Sequence, residues 1–470
     1  MLLALVLVAS FLFCLLEAAR IKSIHFIAGE QTKLAVINTF AEYYQELWEE
    51  YRVLGRNLSS LESDIIKEAS SGNKEEQMSL LNFSVNQVCD LRYTLLTDKN
   101  GQLFIKGISN YMQNNALYEN VQSLYSAYEA IKGLLENKDL DVENIDNALK
   151  VLEDSNFNSD AEKEVEKEHT NLSNEVMLKK NPLEEIKKLQ KKGILQLVLK
   201  EPDSVSEKEL ETTNIVSKRS KKKGTLEDDA NINWMDTILF QQYLLQYFGY
   251  YGAEKEDRAL SYELEYFIGK KQNDTANLKA TVNKILLTRQ AVNMMYLLSD
   301  AQKVAIARSV ALGFVAVGVP PSVIEVLKTG ILTAWAYAES ILDLRALLAG
   351  KKIPLIKSSH SWTLEIDKIA NIGTGFQMAK ESKNGISYQN YLRVLLFFEQ
   401  EEDLAFYAMD VMEACIRKKD ADFWIDNMVI GTQIEIEYLY HHVFLGFSFL
   451  PIYQNQNPVM RKSTKFFYTL

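Results

Sequence analysis

Residues Met1 to Leu16 read MLLALVLVASFLFCLL, a run without charge, glycine or proline. At about 1.5 Å per residue, a helix from Met1 to Ala19 reaches about 28 Å, close to the hydrocarbon thickness of a bilayer. Glu17 is then expected near the interface, with Arg20 and Lys22 in the head-group zone. A cleaved signal peptide calls for a basic segment before the run and small residues at the −3 and −1 positions. Here Glu17 stands at −3 for a cut after Ala19. A lipoprotein cysteine at Cys14 is disfavoured by Phe13 before it. A soluble core helix of this length ordinarily carries a polar stripe, and this one has none. The segment therefore reads as an uncleaved transmembrane anchor over residues 1–19. Arg20 and Lys22 follow the run, so the positive-inside rule taken alone keeps the remainder of the chain in the cytoplasm.

The helical pattern continues past the apolar run. From Ala18 to Leu54 there is no proline and one glycine, Gly29. Leu34, Ile37, Ala41, Tyr44, Trp48 and Tyr51 recur at steps of three and four, while Glu42, Gln45, Glu46, Glu49 and Glu50 occupy the other side. One continuous helix ending at Gly55 as its cap is the simplest reading. Its first part belongs in lipid and its second part on a protein domain.

Residues 20–135 then hold this stalk helix and the first part of a head. Leu91 to Thr97, the turn Asp98-Lys99-Asn100-Gly101 and Gln102 to Lys106 read as a hairpin, Asn-Gly being a strong turn signal. Helical patterns follow to Leu135. Residues 136–233 are poor in aromatics and crowded with charge, as expected of a polar insertion or linker. Within them, Lys218-Arg219-Ser220-Lys221-Lys222-Lys223 reads as a solvated loop balanced by Glu227-Asp228-Asp229, and Gly193 to Leu199 as a docking element. Residues 234–470 form the main body. Met235 to Tyr251 and Tyr262 to Gly269 read as helices, and Asp274 as the cap of a long helix in which Arg289 interrupts the apolar stripe. Arg289, if buried, needs a carboxylate partner. Ser309 to Ile324 reads as a helix–turn–helix broken at Pro320-Pro321, followed by a helix from Gly330 to Ala349. Ile353 to Ile356, Trp362 to Ile366, Gln433 to Tyr440 and Lys465 to Leu470 are strand-like, with Tyr388 to Arg417 a helical pair between them. The class is α+β and helix-dominated, with a small antiparallel sheet.

Chemistry is sparse. The net charge of −11 argues against a protein that neutralises a phosphate backbone, so no nucleic-acid partner is expected. Three cysteines make no disulfide framework, and the five histidines have no zinc-ligand spacing. His441 and His442 point to opposite faces of a strand and cannot chelate one ion together. Glu339 and Asp343, four apart on an apolar helix, are the one carboxylate pair able to divide acid and base roles. The competing reading makes them interior polar anchors satisfied by Arg289 or Arg308. Nucleophile-elbow, zinc-protease and phosphate-loop motifs are lacking. No catalytic, cofactor-binding or metal residue is assigned, and no enzyme activity is expected.

The blocks LLEAARIKSIHFIAGEQTKLAVINTFAEYYQELWEEYRVLG, NPLEEIKKLQKKGILQLVL, ELEYFIGKKQNDTANLKATVNKILLTRQAVNMMYLLSD, AWAYAESILDLRALLAGKKIPLIKS and GISYQNYLRVLL resemble an uncharacterised bacterial domain-of-unknown-function family, number fifty-seven-oh-two. That family is itself similar to companions of Tad/Flp-type pilus and pseudopilin components. The resemblance implies a non-enzymatic single-span surface protein with an extracytoplasmic head, in contact with membrane lipid and with protein partners of a pilus-like or secretion assembly. No glycine precedes the apolar run where a prepilin cleavage site would require one.

Overall fold

The structure is a computed structural model, and it describes residues 1–71, 80–115, 147, 150, 181–211, 213–227, 231–316, 319–444 and 458–468. Two compact units emerge. The first comprises Met1–Leu117, Glu211–Tyr243 and Glu401–Leu470, and the second Tyr118–Leu210 and Leu244–Gln400. The α+β, helix-dominated class with one small antiparallel sheet is as the sequence implies.

The first unit is organised by helix α1 (Leu2–Ala41). Its opening residues are exposed and apolar: Leu5, Leu7 and Phe11 each leave more than 60% of their surface uncovered. From Glu17 onward a buried stripe sets in at helical spacing, through Ile24, Ala28, Thr32, Ala35, Val36 and Phe40. This stripe packs with Leu61 and Ile65 of α3 (Leu58–Ser71) on one face of a four-stranded sheet. The sheet is β1 (Arg56–Asn57), β2 (Phe83–Leu95), β3 (Met428–Tyr440) and β4 (Val459–Phe467), all antiparallel, with β3 central. Ile434, Ile436, Tyr438 and Tyr440 face the helices, as their alternation dictates. Thr32 Oγ1 meets the Tyr438 hydroxyl at 2.9 Å. Gly431 is required where it stands, because a Cβ there would lie 2.1 Å from the Phe467 ring.

Three local expectations are corrected in this unit. The stalk is not one helix to Leu54: α1 ends at Ala41 and α2 (Gln45–Tyr51) restarts it. The Tyr44 N–H turns to the Gly55 carbonyl, and its hydroxyl to Asp420. The cap is therefore not Gly55 but Arg52, in the left-handed region at φ 57°. The expected hairpin is half right. Its turn exists, with Asn100 at φ 56° and Gly101 at φ 79°, but Gln102 to Lys106 opens α4 (Gln102–Asn115) rather than a strand. Phe104, Ile105, Ile108 and Met112 are buried, a 3.6-residue stripe that outweighs five residues of local alternation. The pattern carried on to Leu135 lies, from residue 116, outside the described residues. The basic run is not simply solvated. Arg219 sits 2.6 Å from both Glu413 and Asp426, with its guanidinium 4.7 Å from the Trp424 ring centroid. Its balance comes from α13 (Glu401–Arg417) and the turn after it, not from the acids that follow it in sequence. Helix α7 (Trp234–Tyr247) contributes Phe240 and Tyr243 to this unit's interior.

The second unit is built from α5 (Pro182–Gln190), α6 (Ile194–Val198), α8 (Glu263–Gly269), α9 (Asp274–Ser299), α10 (Ala301–Ala316), α11 (Ile324–Leu348) and α12 (Tyr388–Phe397). From Gly330 to Leu347 every residue of α11 is buried, which makes it the central helix that its all-round apolar character calls for. Helices α8 and α10 pack, with α11, around α9. The proline pair marks the turn between α10 and α11. Helix α9 starts one residue earlier than expected: Asn273, not Asp274, caps it by accepting from the Ala276 N–H at 2.8 Å. Asp274, freed from that role, is buried and accepts from Ser206, Ser261 and Tyr262. Ile353 to Ile356 and Trp362 to Ile366 are not strands. Ile353 forms an isolated bridge with Ile386, and a 3₁₀ turn begins at Ile366. The 362–366 segment instead packs on α11, with Trp335 donating to the Leu364 carbonyl at 2.9 Å and Trp362 edge-on to Trp335.

Candidate functional site

At the point where α1 turns from an exposed to a buried helix, Glu17 and Arg20 form an ion pair one turn apart, 3.0 Å between Oε1 and Nη2. Both side chains are buried in the protein. The chain after β3 closes over them: His442 Nδ1 lies 3.0 Å from Glu17 Oε1, and the Phe444 N–H donates to Oε2 at 3.0 Å. Arg20 donates to the Leu80 carbonyl at 2.9 Å and to that of His441. Phe13 stacks on Phe444. His441 and His442 lie just past the end of β3 rather than on the strand: the His442 ring meets Glu17, whereas His441 offers Arg20 its backbone carbonyl. The polar knot ties the apolar segment to the first unit through hydrogen bonds that burial makes costly to break.

In the second unit, Glu339 and Asp343 of α11 are brought together with Arg289 of α9 and with Lys357, all fully buried. Lys357 Nζ stands 2.6 Å from Glu339 Oε1 and 2.7 Å from Asp343 Oδ1; the second contact is an ion pair without hydrogen-bond alignment. Arg289 donates to Asp343 Oδ2, to the Pro354 and Leu355 carbonyls and to the Tyr391 hydroxyl. Asn293 donates to Asp343 and Ser340, both at 2.9 Å. The Thr363 and Leu364 N–H groups donate to Glu339. Two carboxylates face two cations in a closed interior, and burial of such a set is tolerated because almost every lone pair and proton is used. Burial pushes the Glu339 carboxyl up, with the Asp343 charge adding to it. At Asp343 burial acts in the same direction, yet Arg289 and Lys357 outweigh it and hold that carboxyl down. Arg289 has the carboxylate partner its burial demands. Arg308 takes no part, and Lys357 does instead.

A second pair of carboxylates escaped sequence reasoning. Glu263 and Glu265, at the start of α8, are completely buried, and neither forms an ion pair among the described residues. Glu263 accepts from the Gly249 N–H at 2.6 Å; Glu265 accepts from the Tyr251 N–H at 3.0 Å and the Tyr388 hydroxyl at 2.7 Å. Glu263 Oε1 and Glu265 Oε2 have no hydrogen-bond partner among the described residues. Burial pushes both carboxyls up to about 7, and burial together with Glu265 raises the Tyr388 phenol well above its usual range. The available signal was the run YELEYFIG, whose two glutamates fall on different sides of a short apolar helix and cannot both reach water if that helix is interior. Among the described residues, no group of three or more His, Cys, Asp or Glu is placed to hold a metal ion.

The Family of unknown function (DUF5702) matches residues 173–440. The chain belongs to this family. The matched stretch takes in the Arg289–Glu339–Asp343–Lys357 cluster, Glu263 and Glu265, and runs to the last residue of β3. Helix α1 lies outside it, so family membership leaves the apolar helix to be judged on its own properties. No curated protein matches the chain, and no solved structure does.

Proposed function

We propose a function that starts from α1, which among the described residues is the one helix long and apolar enough to cross a membrane, with a mean hydropathy of 2.1 over its most apolar stretch and 11% of that stretch buried. Those properties suit a membrane anchor or a signal sequence equally. We propose that the apolar segment is an uncleaved anchor, and that the chain is a non-enzymatic single-span protein with an extracytoplasmic head, a structural component or accessory of a pilus-like or secretion assembly at the cell surface. The observation that carries this reading is the Glu17–Arg20–His442 knot. A cut after Ala19 would strip Glu17 from a buried guanidinium and remove the turn of helix that leads into the core stripe beginning at Ile24. A signal peptide made for removal has no use for such a knot; an anchor that must carry its head rigidly does. An apolar helix that continues unbroken out of the lipid into its own folded domain is also the build of pilus-type subunits, and this is the support for the assembly role.

Protease added to intact cells tests it: digestion of the head without lysis is expected, and a head that stays intact until lysis overturns the extracytoplasmic placement. Deleting the chain is expected to reduce surface fibres or secreted protein, and an unchanged surface contradicts the assembly role. The competing reading, a ligand-binding module or hydrolase using Glu339 and Asp343, requires those carboxylates to open onto a cleft, whereas they face Lys357 and Arg289 instead. Changing Glu339→Gln together with Asp343→Asn is expected to impair folding; unaltered stability with loss of a binding or hydrolytic activity would favour that reading.

A further inference from the structure

A cleft of about 340 Å³ opens in the second unit where the turn between α5 and α6 meets α9 and α11. Three lysines line it: Lys191 and Lys192 from the turn, and Lys279 from α9. In a chain of net charge −11, this concentration of one sign stands out. No carboxylate lines the cleft, and none of the three lysines is ion-paired among the described residues. Lys192 donates weakly to the Gly373 carbonyl at 3.4 Å; Lys191 and Lys279 have no side-chain partner there. Gln190 and Asn283 bring two more amide side chains that are likewise unengaged.

Tyr337 supplies the independent observation. It projects from α11, is 7% exposed, and lines the same cleft. Burial alone pushes its phenol up to about 12, with no hydrogen bond contributing, so it remains a proton donor at any physiological pH. A hydroxyl on a side chain this buried ordinarily finds a protein partner; this one has none among the described residues, and its residue lines the cleft. Three cations, two amides and a buried phenol, all with donors to spare and only Lys192 lightly engaged by the fold, line one space. That set matches the chemistry of a phosphoryl group, which presents several acceptor oxygens and more than one negative charge.

We propose that this cleft binds the phosphoryl group of a phosphorylated small molecule or of a phospholipid head group, with Lys191, Lys192 and Lys279 supplying charge and Tyr337 a directed hydrogen bond. The volume lies at the lower end of the range for ligand sites. The proposal stands independently of the membrane-assembly reading.

The test is calorimetric titration of inorganic pyrophosphate into the full chain in non-ionic detergent. Saturable binding that weakens with added salt is expected. Lys279→Gln and Lys191→Gln are each expected to lower affinity about tenfold, and Tyr337→Phe about fivefold. Tyr337→Phe is the discriminating variant: its hydroxyl holds nothing in the fold, so the unfolding midpoint is expected to stay where it is while affinity drops. Repeating the titration in nanodiscs of phosphatidylcholine with and without phosphatidic acid separates the two sources. Affinity unchanged by phosphatidic acid assigns a soluble phosphate, and affinity weakened by it assigns a lipid head group. No binding of pyrophosphate, or equal affinity in the three variants, overturns the proposal.

Discussion

Glu263 and Glu265 tie the second unit's stability to pH. In the unfolded chain each ionises near its ordinary value of 4.5, and in the folded chain near 7. Between those values unfolding releases protons, so stability falls as pH rises: the contribution is fully present below about 4.5 and lost by about 7. Glu265→Gln, which keeps the acceptor for Tyr388 and the Tyr251 N–H, is expected to flatten that slope in denaturation series across this window; an unaltered slope would show that Glu265 is ionised throughout. The charged cluster behaves differently. Lys357→Met leaves Asp343 with Arg289 alone and Glu339 with no paired cation, and the expected loss is about 3–5 kcal/mol of stability by chemical denaturation. A loss below about 1 kcal/mol would mean that water reaches the cluster.

At the scale of single elements, α1 carries two designs in one helix, and substitutions on its two sides separate them. Ala28 is fully buried against the sheet, so Ala28→Asp places an unpaired charge in the core and is expected to cost several kcal/mol. Ser23, five residues earlier in α1, is exposed, and Ser23→Asp is expected to stay within about 0.5 kcal/mol of the parent. Equal effects of the two in thermal unfolding would contradict the buried stripe. Much of this was legible. The apolar run, the alternation of Ile434, Ile436, Tyr438 and Tyr440, the proline-marked turn and the need of Arg289 for a carboxylate all follow from periodicity and from the cost of burying charge. What was not legible depends on residues distant in sequence. Helix α1 breaks at Glu42–Tyr44, where Gly55 accepts the Tyr44 N–H and Asp420 the Tyr44 hydroxyl. Gln102 to Lys106 is helical because Ile108 and Met112, beyond the window that looked strand-like, complete its buried face. Lys357 sits in a loop with no pattern to announce it, and Arg219 pairs with acids some two hundred residues away. Glu263 and Glu265 were hidden by the rule that glutamates on a short helix face water.

For the whole molecule, the proposed function makes one helix both lipid span and core element. The core cluster of the first unit draws Ile24, Ala28, Ala35, Val36 and Phe40 from α1, so the helix beyond the apolar run cannot be peeled away without opening that unit. The apolar run itself buries little, as fits a membrane anchor or a signal sequence, and the proposed anchor role has lipid cover it. Intact-mass measurement of the protein extracted from membranes tests this most directly. The account predicts a membrane-bound species that retains residues 1–16 and is released by detergent but not by alkaline carbonate; a soluble species beginning at or after Arg20 would contradict it.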